Sequence, residues 1–148
     1  MFKVEQIDHV ELFVPDRQEG ARWYERTLGL TVVPEFEHWA EDAQGPLMIS
    51  CGGGTKLALF TGEPQGSRPT AGFHRVAFRV DGPRFFEFLE QTESAPVPVD
   101  TDGEESQEVR PPALRDHGKA FSVYFRDPWG HPLEVTTYDE AYVRSRLA

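Results

Sequence analysis

Apolar and polar residues alternate with a period of two at the start of the chain. In residues 7–16, IDHVELFVPD, the residues Val10, Leu12 and Val14 fall on one face and His9, Glu11 and Phe13 on the other, the pattern of a half-buried strand. The period then changes. Ala21, Tyr24 and Leu28 recur at helical spacing, Asp16 can cap the start and Gly29 supplies the stop, which predicts a helix over 17–28. Strand-like runs follow at 31–39, 47–51 and 56–61, the last entered through the turn Gly52-Gly53-Gly54.

The same order then repeats. Residues 72–81, GFHRVAFRVD, echo residues 7–16 at an offset of 65, which sets His9 on His74, Phe13 on Phe78 and Asp16 on Asp81. After Asp81, Pro83 suits a first helical turn, and Phe85, Phe88 and Leu89 form an apolar stripe. Strands are predicted at 121–126 and 132–137 around the turn Asp127-Pro128-Trp129-Gly130. Between the second helix and the strand at 121–126 runs an acidic, Pro-rich excursion, 92–118, with a further strand expected at 105–110. Ala141 and Tyr142 mark packing positions on a terminal helix over 139–147. The fold class expected is α+β, built from two βαβββ modules. Module one spans 1–65 and module two 70–138, joined by the Pro/Gly-rich stretch 62–71 into a single domain over 1–148, because about 60 residues alone bury a thin core.

Length and composition narrow the function. At 148 residues and a formal charge of −10, the chain has one domain's length and lacks the cationic surplus that a phosphate backbone requires, so nucleic acid is excluded as a partner. Cys51 is the single cysteine, which rules out an intrachain disulfide and a Cys-rich metal site. No leader pattern occupies residues 1–6, and no run approaches the roughly 20 apolar residues of a membrane span. A soluble, cytoplasmic protein without membrane partners is expected.

The candidate chemistry lies in the echo. His9 and His74 open paired strands, and Glu134 shares a face of the last strand with Pro132 and Thr136. Two imidazoles and a carboxylate make a facial triad with open coordination positions. Such a set suits a divalent metal, Fe(II) in the first place and Mn(II) or Zn(II) as alternatives, which could bind substrate oxygens directly. A strand histidine is more often an ordinary half-buried residue, so the echo alone does not decide.

A third pattern bears on the choice. Residues 117–134, HGKAFSVYFRDPWGHPLE, carry Y-F-x-D-P-x-G-x-x-L-E, which resembles the closing strand pair of the vicinal oxygen chelate superfamily. That group includes glyoxalase I, extradiol ring-cleavage dioxygenases, fosfomycin-resistance proteins and bleomycin-binding proteins. The opening DHVELFVPD, Trp23-Tyr24 and Gly29-Leu30 fit as well. The resemblance implies that the paired modules form a half-open barrel around a metal held by His9, His74 and Glu134. It also implies a small-molecule substrate with vicinal oxygens and a homodimer. The fold hosts many reactions, so the reaction must come from particular positions.

Ala58 stands opposite Glu134 when 54–60 is aligned with 130–136. Members with four protein ligands, glyoxalase I among them, place a metal-binding side chain there, so three-ligand members fit better. The extradiol dioxygenases share His117, Val123-Tyr124, Asp127-Pro128 and Glu134 at compatible spacing. By that resemblance Tyr124 and His117 are the catalytic candidates, Tyr124 bonding a bound catecholate and His117 lining the pocket. Two positions depart from the signature: Arg115 stands where a small or apolar residue belongs, and Thr55 or Lys56 where an acid–base histidine would fall.

Two other roles compete with ring cleavage. A fosfomycin-type thiol transferase resembles residues 122–131, but Glu11 would repel its phosphonate. A non-catalytic bleomycin-type drug-binding protein suits the acidic charge. Among the remaining polar residues, His131 suits a turn role, and His38 is as well explained by an exposed strand as by a pocket. Arg75 and Arg79 are expected on the helix-facing or interface side, without a partner. Phe13, Phe78 and Trp129 add aromatic surface to the core.

Overall fold

The computed structural model describes residues 1–63, 72–100 and 108–148. The chain divides into two compact units, Met1–Thr70 and Ala71–Ala148, and the fold is α+β, with one four-stranded sheet in each.

In the first unit, strand β1 (His9–Phe13) leads through Asp16 into helix α1 (Arg17–Leu28). The Asp16 side chain accepts the Glu19 N–H at 2.9 Å, satisfying one of the four donors that a helix start leaves unpaired. Gly29, at φ 71°, ends the helix in the left-handed region that glycine enters without strain. Strands β2 (Thr31–Val32), β3 (Leu47–Ser50) and β4 (Lys56–Phe60) complete a sheet in the order β1-β4-β3-β2, with β1 parallel to β4. Ala21, Trp23 and Tyr24 of α1 are buried, as are Leu57 and Leu59 of β4 and all four residues of β3. Burying each larger side chain stabilises the fold by about 1.5–3 kcal/mol.

The strand expected over 31–39 stops at Val32. Pro34 cannot donate to a ladder and starts a 3-10 helix instead (Pro34–Glu41), in which Phe36 stacks on Trp39 at 4.5 Å. Arg17 of α1 holds the following chain by donating to the carbonyls of Ala40 and Asp42, each at 3.0 Å, and of Gly45. His38 is therefore exposed on a helical turn and not on a strand.

In the second unit, β5 (Val76–Arg79) leads through the cap Asp81 into α2 (Gly82–Ser94). Short strands β6 (Val97–Pro98) and β7 (Val109–Arg110) pair with each other. Of the strand expected at 105–110, Val109 and Arg110 are strand and Glu108 is not, while 105–107 lie outside the described residues, as do 64–71 of the joining stretch. Strands β8 (Arg115–Asp116), β9 (Phe121–Arg126) and β10 (Pro132–Thr137) build the sheet β5-β10-β9-β8, with β5 parallel to β10. Helix α3 (Glu140–Leu147) closes the chain and buries Val143. The core of this unit sets Phe85 and Phe88 of α2 with Val123, Phe125, Leu133 and Val135, all buried, Phe88 lying 5.2 Å from Phe125. Among the described residues no helix is long and apolar enough to cross a membrane.

Candidate active site

Register decides which side chains share a face. In the first unit the parallel pair sets Glu11 beside Ala58 and His9 beside Lys56. In the second it sets Ala77 beside Glu134. Since Ala58 and Glu134 are equivalent, Glu11 corresponds to Ala77, an offset of 66 and not 65. Each ladder continues in that register: the Val14 N–H meets the Phe60 carbonyl at 2.8 Å, and the Val80 N–H meets that of Thr136 at 2.9 Å. The two helix caps, Asp16 and Asp81, do sit 65 apart. The second unit thus has one residue fewer between strand and helix, with no counterpart of Pro15. An echo anchored on the caps therefore misaligns the strands by one.

The consequence falls on the predicted triad. The second-unit counterpart of His9 is Arg75, and that of Phe13 is Arg79. Arg75, Ala77 and Arg79 share the face of Glu134 and Tyr124, because Ala77, Glu134 and Tyr124 lie in one cross-strand row. Of the helix-facing or interface side expected for the two arginines, this rules out the first, and Arg75 has an acidic partner that the sequence did not offer, Asp100. The alternation carries His74 instead into the row of Val76 and Phe78, whose neighbours Leu133 and Val135 belong to the core face. His74 itself is exposed, as is Glu11.

The first unit gives His9 a local partner. Its Nδ1 lies 2.8 Å from Oδ2 of Asp8, whose Oδ1 accepts Lys56 Nζ at 3.1 Å. These hydrogen bonds, from His9 first and then Lys56, hold the Asp8 carboxyl below its ordinary range. Lys56 is thereby engaged by a carboxylate, and Thr55 donates to the Ile7 carbonyl at 2.9 Å.

Glu134, half-buried, accepts the hydroxyl of buried Ser122 at 2.6 Å. Thr136 lies 2.9 Å from Ser122 and donates to the Phe121 carbonyl at 3.2 Å. The closing turn is locked by Asp127, which is 1% exposed. Its Oδ1 accepts the Trp129 and His131 N–H groups at 3.0 and 2.9 Å, and its Oδ2 lies 2.5 Å from the His131 ring. The D-P-x-G-H motif is thus a self-capped turn that holds β9 and β10 in register, and His131 has the turn role expected of it.

On the Tyr124 face of the second unit's sheet lies a cavity of about 340 Å³ with a polar wall of Arg75, Asp100, Arg110, Arg115, His117 and Tyr124. His117 Nε2 and the Tyr124 hydroxyl are 2.7 Å apart. The pair named from the sequence therefore does meet, and lines a pocket. The Arg75 guanidinium lies over the Tyr124 ring, 4.5 Å from its centroid, and is ion-paired with Asp100. The Asp100 side chain, 4% exposed, also accepts Arg126 at 3.1 Å. Two guanidiniums sharing one buried carboxylate leave a local positive charge. Arg75, Asp100, Arg110 and Arg126 were not assigned a role from the sequence. The V-E-L/V-A-F match at offset 66 could have found Arg75. Asp100 sits in an irregular segment with no periodic signal.

These residues also test the metal that the resemblance implies. Of the four strand positions in question, His9 and Glu134 carry ligand groups. Ala58 has no donor atom, and Arg75 is a guanidinium, which offers protons and no lone pair. Two ligands fall short of the two-histidine, one-carboxylate set. Among the described residues, neither unit gathers three His, Cys, Asp or Glu side chains able to hold a metal ion. The residues do not fit the family's metal.

Comparison with known proteins places the scaffold. Oxidase ChaP-H2 superposes with a TM-score of 0.63 at 23% identity, over 91% of this chain and 94% of that one. Lactoylglutathione lyase from Agrobacterium tumefaciens does so with 0.61 at 20%, over 90% and 94%. The fosfomycin resistance protein FosX from Listeria monocytogenes gives 0.63 at 15%, over 95% and 99%. At these identities the likeness is one of fold. No curated protein matches the chain. A family model described as Glyoxalase/Bleomycin resistance protein/Dioxygenase superfamily matches residues 6–135. The chain, with its paired β-strand and helix repeats and its D-P-x-G closing turn, belongs to that superfamily.

Proposed function

We propose that this protein binds a small molecule in the second-unit cavity without a metal, using guanidinium, phenol and imidazole groups in place of coordination. One observation carries this reading: the register gives Arg75, and not His74, the strand position equivalent to His9. Divalent metals are common in the superfamily, and an extradiol-type ring cleavage by Fe(II) would need the second imidazole that Arg75 displaces. Sequestration of a cationic drug fits no better, because the cavity wall carries three arginines against Asp100.

A second reading has its own support. His117 and Tyr124, 2.7 Å apart on the cavity wall, form a pair able to relay a proton to or from a bound molecule, which favours an acid–base reaction over storage alone. Pairing into a homodimer is carried forward as part of the proposal, motivated by the strand edges at which each four-stranded sheet ends, β1 and β2 in one and β5 and β8 in the other.

Elemental analysis tests the metal-free reading. Protein produced with iron, manganese and zinc supplied should contain well under one equivalent of each, in wild type and His74→Ala alike. One equivalent in the wild type that disappears in His74→Ala would overturn it.

A further inference from the structure

Arg115 is one of the two positions that depart from the extradiol signature, and it lines the cavity. It pairs in register with Ser122 and so shares the face of Tyr124 and Glu134. Among the described residues it makes no ion pair, whereas Arg75 is held by Asp100 and Arg110 by Glu108. Within a chain of net charge −10, the cavity is a cationic spot whose least-neutralised group lines its wall. A carboxylate offers the planar, bidentate partner that a guanidinium matches best.

The neighbouring group is of a different kind. A phenol and an imidazole 2.7 Å apart hold their protons in either of two arrangements. If Tyr124 donates to Nε2, its oxygen is left to accept from a ligand hydroxyl. If Nε2 carries the proton, Tyr124 can donate outward instead. Arg75, over the ring face and tied to Asp100, restrains the phenol. An anion site beside a hydroxyl site describes a ligand with one carboxylate and an adjacent hydroxyl.

We infer that the cavity, whose remaining lining residues Val99, Pro112 and Ala113 offer an apolar wall for a ring, selects a small aromatic 2-hydroxycarboxylate, its carboxylate on Arg115 and its hydroxyl on the Tyr124–His117 pair. This rests on the metal-free reading above. The two neighbouring oxygens that a metal would chelate are here divided between a fixed cation and a proton-sharing pair. A neutral catechol satisfies only the second group and is the weaker ligand.

Calorimetric titration of the full chain with salicylate, benzoate and catechol, in the presence of a chelator, tests the assignment. Salicylate should bind at least tenfold more tightly than catechol and several-fold more tightly than benzoate. Arg115→Gln should weaken salicylate about tenfold and leave catechol unchanged. Tyr124→Phe should remove the advantage of salicylate over benzoate while sparing benzoate itself, an outcome that general unfolding cannot mimic. Catechol binding as well as salicylate, no probe binding at all, or an Arg115→Gln variant equal to wild type overturns the assignment. Salicylate binding only after Mn(II) replaces the chelator would overturn the metal-free reading as well, so the two failures are distinct.

Discussion

Replacing Asp100 by Asn keeps the side chain's size and removes the charge that two guanidiniums share. The Asp100 side chain is 4% exposed, with Arg126 3.1 Å away and Arg75 on its other oxygen. At that separation and an effective dielectric near 20, each pair carries about 5 kcal/mol of gross Coulomb attraction. Much of this is offset by desolvation, and breaking one side of a buried pair typically costs about 3–5 kcal/mol net. The side chains of Arg75 and Arg126 are 25% and 15% exposed, so water can reach them when the carboxylate is gone. Arg126 also keeps its bond to the Gly130 carbonyl at 2.9 Å. The expected loss for Asp100→Asn is therefore at the lower end, about 3 kcal/mol, or roughly 6–12 °C in Tm for a chain of this length. Urea titrations of Asp100→Asn, Arg126→Met and the double variant form a cycle, with a coupling of about 1–3 kcal/mol expected. A loss under about 0.5 kcal/mol, or no coupling, would place these ions in the class of solvated surface pairs and refute the reasoning.

Other perturbations follow from particular contacts. A Cβ on Gly82 would lie 2.4 Å from Tyr142 Cδ1 and 2.8 Å from Asp139 Oδ2. Gly82→Ala should thus force α2 from α3 and lower stability by about 1–3 kcal/mol, read by urea unfolding; a neutral variant would contradict that packing. Ser122→Ala leaves Glu134 without its 2.6 Å donor, and a loss of about 1.5–3 kcal/mol is expected, with Ser122→Thr recovering part of it if the hydroxyl is what matters. Hydrogen bonds from Arg144 hold the Asp116 carboxyl below its ordinary range. A depressed folded-state pKa contributes stability that is complete above the unfolded value and disappears as pH falls through the folded one. The Tm gap between wild type and Arg144→Met should therefore be largest at neutral pH and narrow in strong acid, where the bond to the Gly118 carbonyl and the contact with the Phe121 ring remain; a gap that widens on acidification would reverse the sign.

Much of the scaffold was legible because short-range chemistry fixes it. Asp16 and Asp81 cap their helices, Gly29 ends one, and the period-2 runs at β9 and β10 pair as their alternation requires. The strand that should have run to Trp39 failed at Pro34, where the missing donor outweighed strand propensity. The site was harder to read. His117 and Tyr124 lie seven residues apart across the β8–β9 turn, so local spacing could bring them together. The His9–His74 equivalence failed because a one-residue shortening between strand and helix leaves the caps in phase and the strands out of phase. A slip of one exchanges every inward side chain for its neighbour. Asp100 was invisible for another reason: its partners Arg75 and Arg126 are 25 and 26 residues away in sequence, and nothing local announces them.

The pairing of β5 with β10 can be measured without reference to any ligand. In an isotope-labelled sample, backbone cross-strand Overhauser effects should link Ala77 with Glu134, and the Arg75 side-chain protons should be shifted upfield by the Tyr124 ring and return in Tyr124→Leu. Effects that instead set Val76 or Phe78 beside Glu134, with an Arg75 unshifted, would turn the His74 imidazole onto the carboxylate's face and contradict the account at its root.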